Sequence, residues 1–558
     1  MRKSLVFTGM MLILITAFGL RSSACTNFIF TKGATADGSV MITYAADSHT
    51  LYGELYYKPA KDYPAGAMVD VYEWDTGKKL GRIPQVRHTY SVVGNMNENQ
   101  VALGETTYGG RDELQHQPQA VIDYGSMMYL ALQRSKSARE AIQVMTDLVE
   151  KYGYYSEGET ISVSDKNEAW IFEIIGRGEK EKGAIWVARR IPDGYVCGHA
   201  NQARITQFPL NDPENCLYSK DIITFARAKG WFDGKDEEFS FSDIYDPVTF
   251  SGARACEARV WAMFNHINSD MGQYEDYAMG NLTKGKWGYT TNRMPLWIKP
   301  DKKITVHDVM QLMRDHFEGT KMDMNHDIGA GPFDCPYRWR PMYWSTDSSH
   351  YFVNERAVST QQTGFVFVAQ SRSWFPDPIG GIFWFGVDDT YSTVFNPMYC
   401  GILKVPHSYA EGNGSIVEYS PTSAFWTFNF VANWAYTRYS YMIKDIQKVQ
   451  RELELKYIDE TAQIDKEALT IYKTDKNRAR TYLTNYSVKT GDATVTRWKK
   501  LGEYLLVKYI DGNIKKEKDG KFETNGTGQA VMPSQPGYPN WWLNEIIREK
   551  GDVVKAPK

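Results

Sequence analysis

The chain has 558 residues, a formal charge of −3, and 42% hydrophobic with 14% aromatic residues. That is enough apolar material for a substantial core, which excludes disorder over most of the length. Dispersed Lys and Arg in a mildly acidic chain give no footing for a nucleic-acid partner, and beyond residue 20 no apolar run approaches the roughly 20 residues that cross a bilayer.

In chain order, the first segment reads as a secretory signal peptide over residues 1–24. Arg2 and Lys3 give a basic start, residues 5–20 an apolar run, and Ser22-Ser23-Ala24 the small residues a signal peptidase reads. Cleavage after Ala24 makes Cys25 the first residue of the mature protein. A terminal Cys carries a thiol and a free α-amine together. With a reference pKa of roughly 7.7–8.0, the amine can accept the thiol proton near neutral pH. The expected location is therefore periplasmic or extracellular, with a lipid anchor on Cys25 as the competing fate.

From Cys25 to about 205 the pattern is of short strands and turns. TNFIF and GSVMITY flank a turn at Asp37-Gly38, ISVSD and EAWIFEIIG flank Lys166-Asn167, and two more strands flank Pro192-Asp193-Gly194. Between them, residues 120–134 and 137–151 read as helices, the second with Ser137 as N-cap and Glu140 three residues on. Strands in hairpins with helices grouped together predict an α+β layered domain. Residues 206–420 are aromatic and turn-rich, with a helix near 305–318. After Pro421, Phe428, Val431, Ala435, Tyr439, Met442, Ile446 and Val449 recur at spacings of three and four, one packing face of a long helix. The expected organisation is a catalytic domain over 25–420, a helical appendage over 421–510 suited to subunit contact or to covering the site, and a flexible tail over 511–558. A homo-oligomer fits this layout.

The six cysteines (25, 197, 216, 256, 335 and 400) form no CxxC pair and match no disulfide framework, so the five after Cys25 read as free buried thiols. The chain carries no phosphate-binding glycine loop, no GxSxG elbow and no HExxH helix, and no cofactor is expected. Asp323, His326 and Asp327 read as a solvated polar loop, and no metal is expected.

The N-terminal hairpin carries the chemistry. An N-terminal nucleophile needs a processed Cys, Ser or Thr at the start of a strand, a carboxylate to position the amine, and donors for an oxyanion. CTNFIFTKGATADGSVMITYAADS supplies the strand, the turn, the return strand, and Asp47 where that strand ends. Together with VVGNMNENQVALGETTYGGR, IPDGYVCGHANQARI, EARVWAMFN, MRDHFEGT and ERAVSTQQTGFVFVAQSR, this segment resembles the secernin-related dipeptidases. These are cysteine-type N-terminal-nucleophile (Ntn) hydrolases related to penicillin V acylase and bile-salt hydrolase. The resemblance runs over about residues 25–420. It implies an αββα sandwich and hydrolysis of small amides, chiefly dipeptides, through a thioester. It puts the nucleophile on Cys25, the amine-positioning acid on Asp47, oxyanion-type amides on Asn201 and Asn97, and a site arginine on Arg259. Where acylase relatives place Arg three residues before the Asp, this chain has Tyr44, which donates one hydrogen bond but carries no fixed charge. A dipeptide's two charged ends call for groups of opposite sign, for which Glu105 and Arg259 are the candidates. An N-acyl amide substrate, or a lipidated binding protein, are the alternative readings.

Overall fold

The computed structural model describes residues 25–347 and 349–557, so the signal peptide expected over 1–24 lies outside the described residues. The chain opens on a hairpin of β1 (Asn27–Phe30) and β2 (Val40–Asp47). Its turn is held by Asp37, whose Oδ1 accepts the Ser39 N–H at 3.0 Å. A long strand, β3 (Ala102–Gly109), precedes the helices α1 (Tyr124–Arg134) and α2 (Ala138–Tyr152). Asp123 caps α1 and Ser137 caps α2, accepting the Glu140 N–H, the local logic that the sequence predicts. The strands β4 (Gly158–Ser164), β5 (Ala169–Gly176) and β6 (Ala184–Arg190) follow as an antiparallel meander.

β6 and the next strand, β7 (Val196–His199), do not form a hairpin. β6 stays in the meander, whereas β7 pairs with β1. Pro192-Asp193-Gly194 thus carries the chain from one sheet to the other, and Asp193 Oδ1 accepts the Gly33 N–H at 2.6 Å, tying this crossing to the first hairpin's turn. A Cβ on Gly33 would stand 2.7 Å from the Gly194 nitrogen, so the two turns meet only because Gly33 has no side chain.

The later elements are helix α3 (Ala258–Ile267), strands β8 (Thr363–Ser371), β9 (Gly381–Val387) and β10 (Asn396–Tyr399), and helices α4 (Ala424–Ala435), α5 (Tyr439–Tyr472) and α6 (Lys476–Tyr509). One sheet runs Trp297–Ile298, β7, β1, β2, β8, β9, β10. The other runs Cys216–Tyr218, β6, β5, β4, β3 and three short strands. The sheets stack through β1 and β2 against β3 and β4. His199, fully buried, ties them: its Nδ1 meets Thr106 Oγ1 and its Nε2 meets Ser162 Oγ, both at 2.8 Å. Because both faces of each sheet are covered, β2, β5 and β8 are buried along their whole length and read as near-continuous apolar runs.

The outer face of one sheet is covered by α1 and α2, which share a core with Leu103, Val163, Trp170 and Phe172. The outer face of the other is covered by α4, α5 and α6. Residues 421–510 are therefore not an appendage: Phe428, Ile446, Trp498 and Leu505 belong to the same core as Phe367 and Trp384. Two buried ion pairs fasten this layer, Arg372 to Asp465 and Arg314 to Glu454. The stretch expected to be a tail carries a short hairpin and a helix over Asn540–Lys550, and folds back so that Phe522 stacks on Tyr504. The helix expected near 305–318 spans only Val306–Leu312, and just beyond its end Arg314 turns inward to Glu454. Among the described residues no helix is long and apolar enough to cross a membrane, and all six cysteines are free.

Candidate active site

Thr26 and Ala45 exchange backbone hydrogen bonds of 3.2 and 2.9 Å, which sets Cys25 level with Ala46 and next to Asp47. On the other side, the pairing of Asn27 with His199 brings Cys25 level with Asn201. The nucleophile candidate thus sits at the head of a central strand, with neighbours on both sides, and only 5% of its surface is exposed.

Two groups face the thiol. Tyr44 Oη is 3.7 Å and Glu105 Oε1 3.8 Å from Sγ, and Tyr44 donates a short hydrogen bond to Glu105. Burial pushes the Cys25 thiol well above its ordinary pKa, and the Glu105 and Asp47 charges push it further. Hydrogen bonds from the Asp47 backbone N–H and from Tyr44 only partly oppose this. The sulfur therefore holds its proton until a base takes it. His199 is no such base: both ring nitrogens are occupied by Thr106 and Ser162, and burial drives its pKa well down.

Asp47 is buried and accepts the Thr363 hydroxyl at 2.6 Å and an ion pair from Arg356. Burial raises its pKa, against the opposing pull of Arg356. Arg259 projects from the first turn of α3, just after a π-helical segment over Gly252–Glu257. Its Nη1 donates to the Cys25 carbonyl at 2.6 Å and to Thr26 Oγ1 at 2.8 Å. Its Nη2 donates to Asn201 Oδ1 at 2.9 Å. Burial and the nearby Arg356 lower its pKa to about 10, so it stays charged at neutral pH. Asn201 adopts a left-handed φ of 62° and donates to the Thr107 carbonyl at 2.7 Å.

Asn97 is placed elsewhere. Its Nδ2 donates to the Leu132 and Ser135 carbonyls at 2.7 and 2.8 Å, and its Oδ1 accepts from Asn99 and Val101. Carbonyls at the end of α1 need donors, and Asn97 supplies them, so its amide is not available to an oxyanion. Asn95, two residues earlier in the same turn, lines the cavity that holds Cys25.

Two adjoining cavities meet here. That of Cys25 has a volume of about 310 Å³, and its charged lining residues are Asp47, Asp75 and Glu105, all acidic. The second, about 460 Å³, shares Asp75, Thr107 and Tyr124 with the first and presents Arg254, Arg259, Arg340 and Arg356. Glu159 lies opposite Thr107 in the β3–β4 ladder and accepts its hydroxyl at 2.8 Å. It hydrogen-bonds to Glu105, and burial together with the Glu105 charge pushes its pKa well up. Glu105 itself is raised to about 7, chiefly by burial. Two acceptor-only carboxylates this close share a proton. Among the described residues no group of three or more His, Cys, Asp or Glu converges as a metal site.

Arg356, Thr363, Glu159, Asp75 and Asn95 are absent from the candidates that the sequence provides. Arg356 and Thr363 lie within ERAVSTQQTGFVFVAQSR, and pairing that strand with β2 would have set Thr363 against Asp47. Glu159 carries no local signal.

A buried thiol at the head of a strand, beside carboxylates and arginines and with the buried His199 held by Thr106 and Ser162, fits a thiol hydrolase. The sequence match agrees. Residues 24–452 match peptidase family C69, and the chain belongs to that family of cysteine peptidases of the N-terminal-nucleophile type. It is 27% identical over 409 residues to a "Probable dipeptidase" of Latilactobacillus sakei, covering 70% of this chain and 76% of the relative. It is 26% identical over 425 residues to a "Probable dipeptidase B" of Lactococcus lactis subsp. lactis, covering 73% and 80%. A "Probable dipeptidase B" of Streptococcus pyogenes serotype M1 is 22% identical over 521 residues, 90% of this chain and 97% of the relative.

Proposed function

We propose that this chain is an exported dipeptidase of the αββα Ntn class, active once cleavage after Ala24 frees the Cys25 α-amine. The observation that carries the substrate reading is the Glu105 carboxylate 3.8 Å from the Cys25 sulfur. In a dipeptide the N-terminal ammonium lies about 2.5 Å from the attacked carbon, two bonds away. An acid beside the nucleophile therefore sits within reach of that ammonium. In an N-acyl amide, hydrocarbon would take its place and leave the carboxylate buried without a counter-charge. The relatives' names agree with this choice.

The chemistry follows from the groups present. The α-amine takes the Cys25 proton, supplying the base that the raised thiol pKa demands. The thiolate attacks the peptide carbonyl, and the second N–H of Asn201 Nδ2, whose first is on the Thr107 carbonyl, is the donor this reading assigns to the oxyanion, worth about 3 kcal/mol of barrier for such a donor. Asp47, held by Thr363 and Arg356, orients the ammonium, which then protonates the leaving amine. The free amine next activates water, and hydrolysis of the thioester releases the substrate's N-terminal residue as a free amino acid and restores the thiol.

Intact mass and N-terminal sequencing of the mature protein, with dipeptide hydrolysis by the native chain and by Cys25→Ser, test this reading. The expected result is a free Cys25 terminus and loss of hydrolysis in the variant. A lipidated terminus, unchanged hydrolysis in the variant, or cleavage of acyl-amides alone would overturn it.

A further inference from the structure

The two cavities differ in lining: that of Cys25 has acids and no base, whereas the adjoining one mixes arginines with acids, and that difference orients a substrate. The Cys25 cavity has acidic groups only at its charged edge, and its remaining wall includes Tyr56, Trp74, Met128, Tyr129 and Phe365. The adjoining cavity carries Arg254, Arg259, Arg340 and Arg356 among acids that include Glu73, Asp112, Glu157 and Asp246. We infer that the N-terminal residue of the dipeptide enters the Cys25 cavity, its ammonium held between Asp75 and Glu105 and its side chain against the aromatic wall, while the leaving residue's carboxylate faces the arginines. This rests on the dipeptidase reading and extends it to substrate polarity and selectivity. The enzyme takes dipeptides with a free ammonium and a bulky apolar first side chain.

Asp75 is well placed for this role. It lies in the turn between the strands Met68–Tyr72 and Lys79–Pro84, and it belongs to both cavities. Tyr124 Oη donates to its Oδ1 at 3.0 Å, and the Trp74 N–H donates to Asp123 Oδ2 at 2.9 Å, which docks the turn on the N-terminus of α1. Gly125 accommodates the Trp74 ring; a Cβ there would come within 2.5 Å of the Trp74 Cβ. The turn is thus fixed; Asp75 is an exposed residue at the edge of both cavities, and partial burial of its carboxyl raises its pKa above the ordinary value. A cavity of about 310 Å³ is at the lower end of small-molecule sites, enough for one bulky amino acid and little more.

Reaction at the single peptide bond satisfies both ends. Attack requires the carbonyl carbon about 3–3.5 Å from the sulfur, which places the ammonium on the acidic side and directs the leaving residue toward Arg259 and its neighbours. The reverse orientation would set a carboxylate against Glu105 and the shared Glu105–Glu159 proton, in a cavity whose lining holds no base.

The test is kcat/KM for Phe-Ala, Gly-Ala, Ala-Phe and N-acetyl-Phe-Ala, using the processed full-length enzyme, Asp75→Asn and Met128→Trp. Phe-Ala is expected to exceed Gly-Ala by about tenfold or more, and N-acetylation to cost about a hundredfold, the scale of a lost charge-assisted hydrogen bond. Asp75→Asn should raise KM for Phe-Ala about tenfold with kcat nearly unchanged and leave the residual N-acetyl-Phe-Ala rate as it was. Met128→Trp should depress Phe-Ala about tenfold more than Gly-Ala, with circular dichroism reporting the fold; if that variant does not fold, the acetylation and Asp75→Asn arms decide. Equal cleavage of Gly-Ala, tolerance of acetylation, a preference for Phe at the second position, or an Asp75→Asn variant with unchanged KM would each overturn the inference and leave the dipeptidase reading standing. A chain with a free Cys25 that cleaves no dipeptide would instead overturn the dipeptidase reading itself.

Discussion

The helical layer and the Cys25 site both bury charge, and beside the Arg356–Asp47 pair the site adds something the helical seam lacks. Under the helices two buried arginines each have a matched acid. Arg372 and Asp465 are joined across the sheet–helix seam, with the Tyr399 hydroxyl on the same carboxylate at 2.7 Å, and Arg314 meets Glu454 at 2.6 Å. At the site, acids crowd acids: Glu105 and Glu159 share a proton beside a thiol that burial also keeps protonated. The contrast separates fastening from chemistry. Paired opposite charges fix one arrangement, whereas like charges brought together create groups that titrate where a substrate can shift them.

The largest way to break the comparison is at the seam. Asp465→Ala leaves Arg372 buried and unpaired and should destabilise the fold by about 3–5 kcal/mol, read by denaturant unfolding, with kcat of the remaining folded enzyme little changed. A loss below about 1 kcal/mol would mean that the pair fastens nothing.

A smaller effect belongs to the site. Glu105→Gln keeps the Tyr44 contact but removes the charge, and should raise KM for dipeptides about ten- to a hundredfold. In the native enzyme Glu105 titrates at about 7, above its ordinary value. The bound ammonium needs the carboxylate ionised, so KM should fall as pH rises through 7, and this dependence should vanish in Glu105→Gln. The stability sign is the reverse. An acid whose folded pKa is raised loses stability as pH climbs from its unfolded value to its folded one, then levels off. Unfolding free energy should therefore decline between about pH 4.5 and 7 in the native chain, and by less in Glu105→Gln. A KM flat across pH 6–8 would count against the anchor.

The smallest effect sharpens the boundary between the two regions. Asn97→Ala removes the donors to Leu132 and Ser135 and should cost about 1–3 kcal/mol of stability, with kcat unchanged. A drop in kcat without loss of stability would return Asn97 to the site.

Some of this was legible in the residues alone. The Asp37-Gly38 turn sets the register that brings Asp47 beside Cys25, and Ser137 with Glu140 marks the start of α2. Both are decided within a few residues of chain, where turn and cap chemistry dominates. Where partners come from far away, the sequence was silent or misleading. Arg356 reaches Asp47 across 309 positions, and Glu159 meets Glu105 only through the β3–β4 register. Pro192-Asp193-Gly194 reads as a turn between two strands, but that it changes sheets is not legible, because nothing local records which strand lies on the far side. The choice between Asn95 and Asn97 turned on which side chain met the end of α1, which spacing within one short turn does not encode.

By itself, then, the sequence determined a cysteine at the head of a tight hairpin with an acid at its return, since a turn and two short strands fix that geometry locally. Only the tertiary structure decided what surrounds the sulfur: the arginines on Asp47 and Asn201, the proton shared by Glu105 and Glu159, and the helical layer that closes the second sheet. These depend on strand order and on burial, which alter charge and proton affinity only once distant segments have excluded water together.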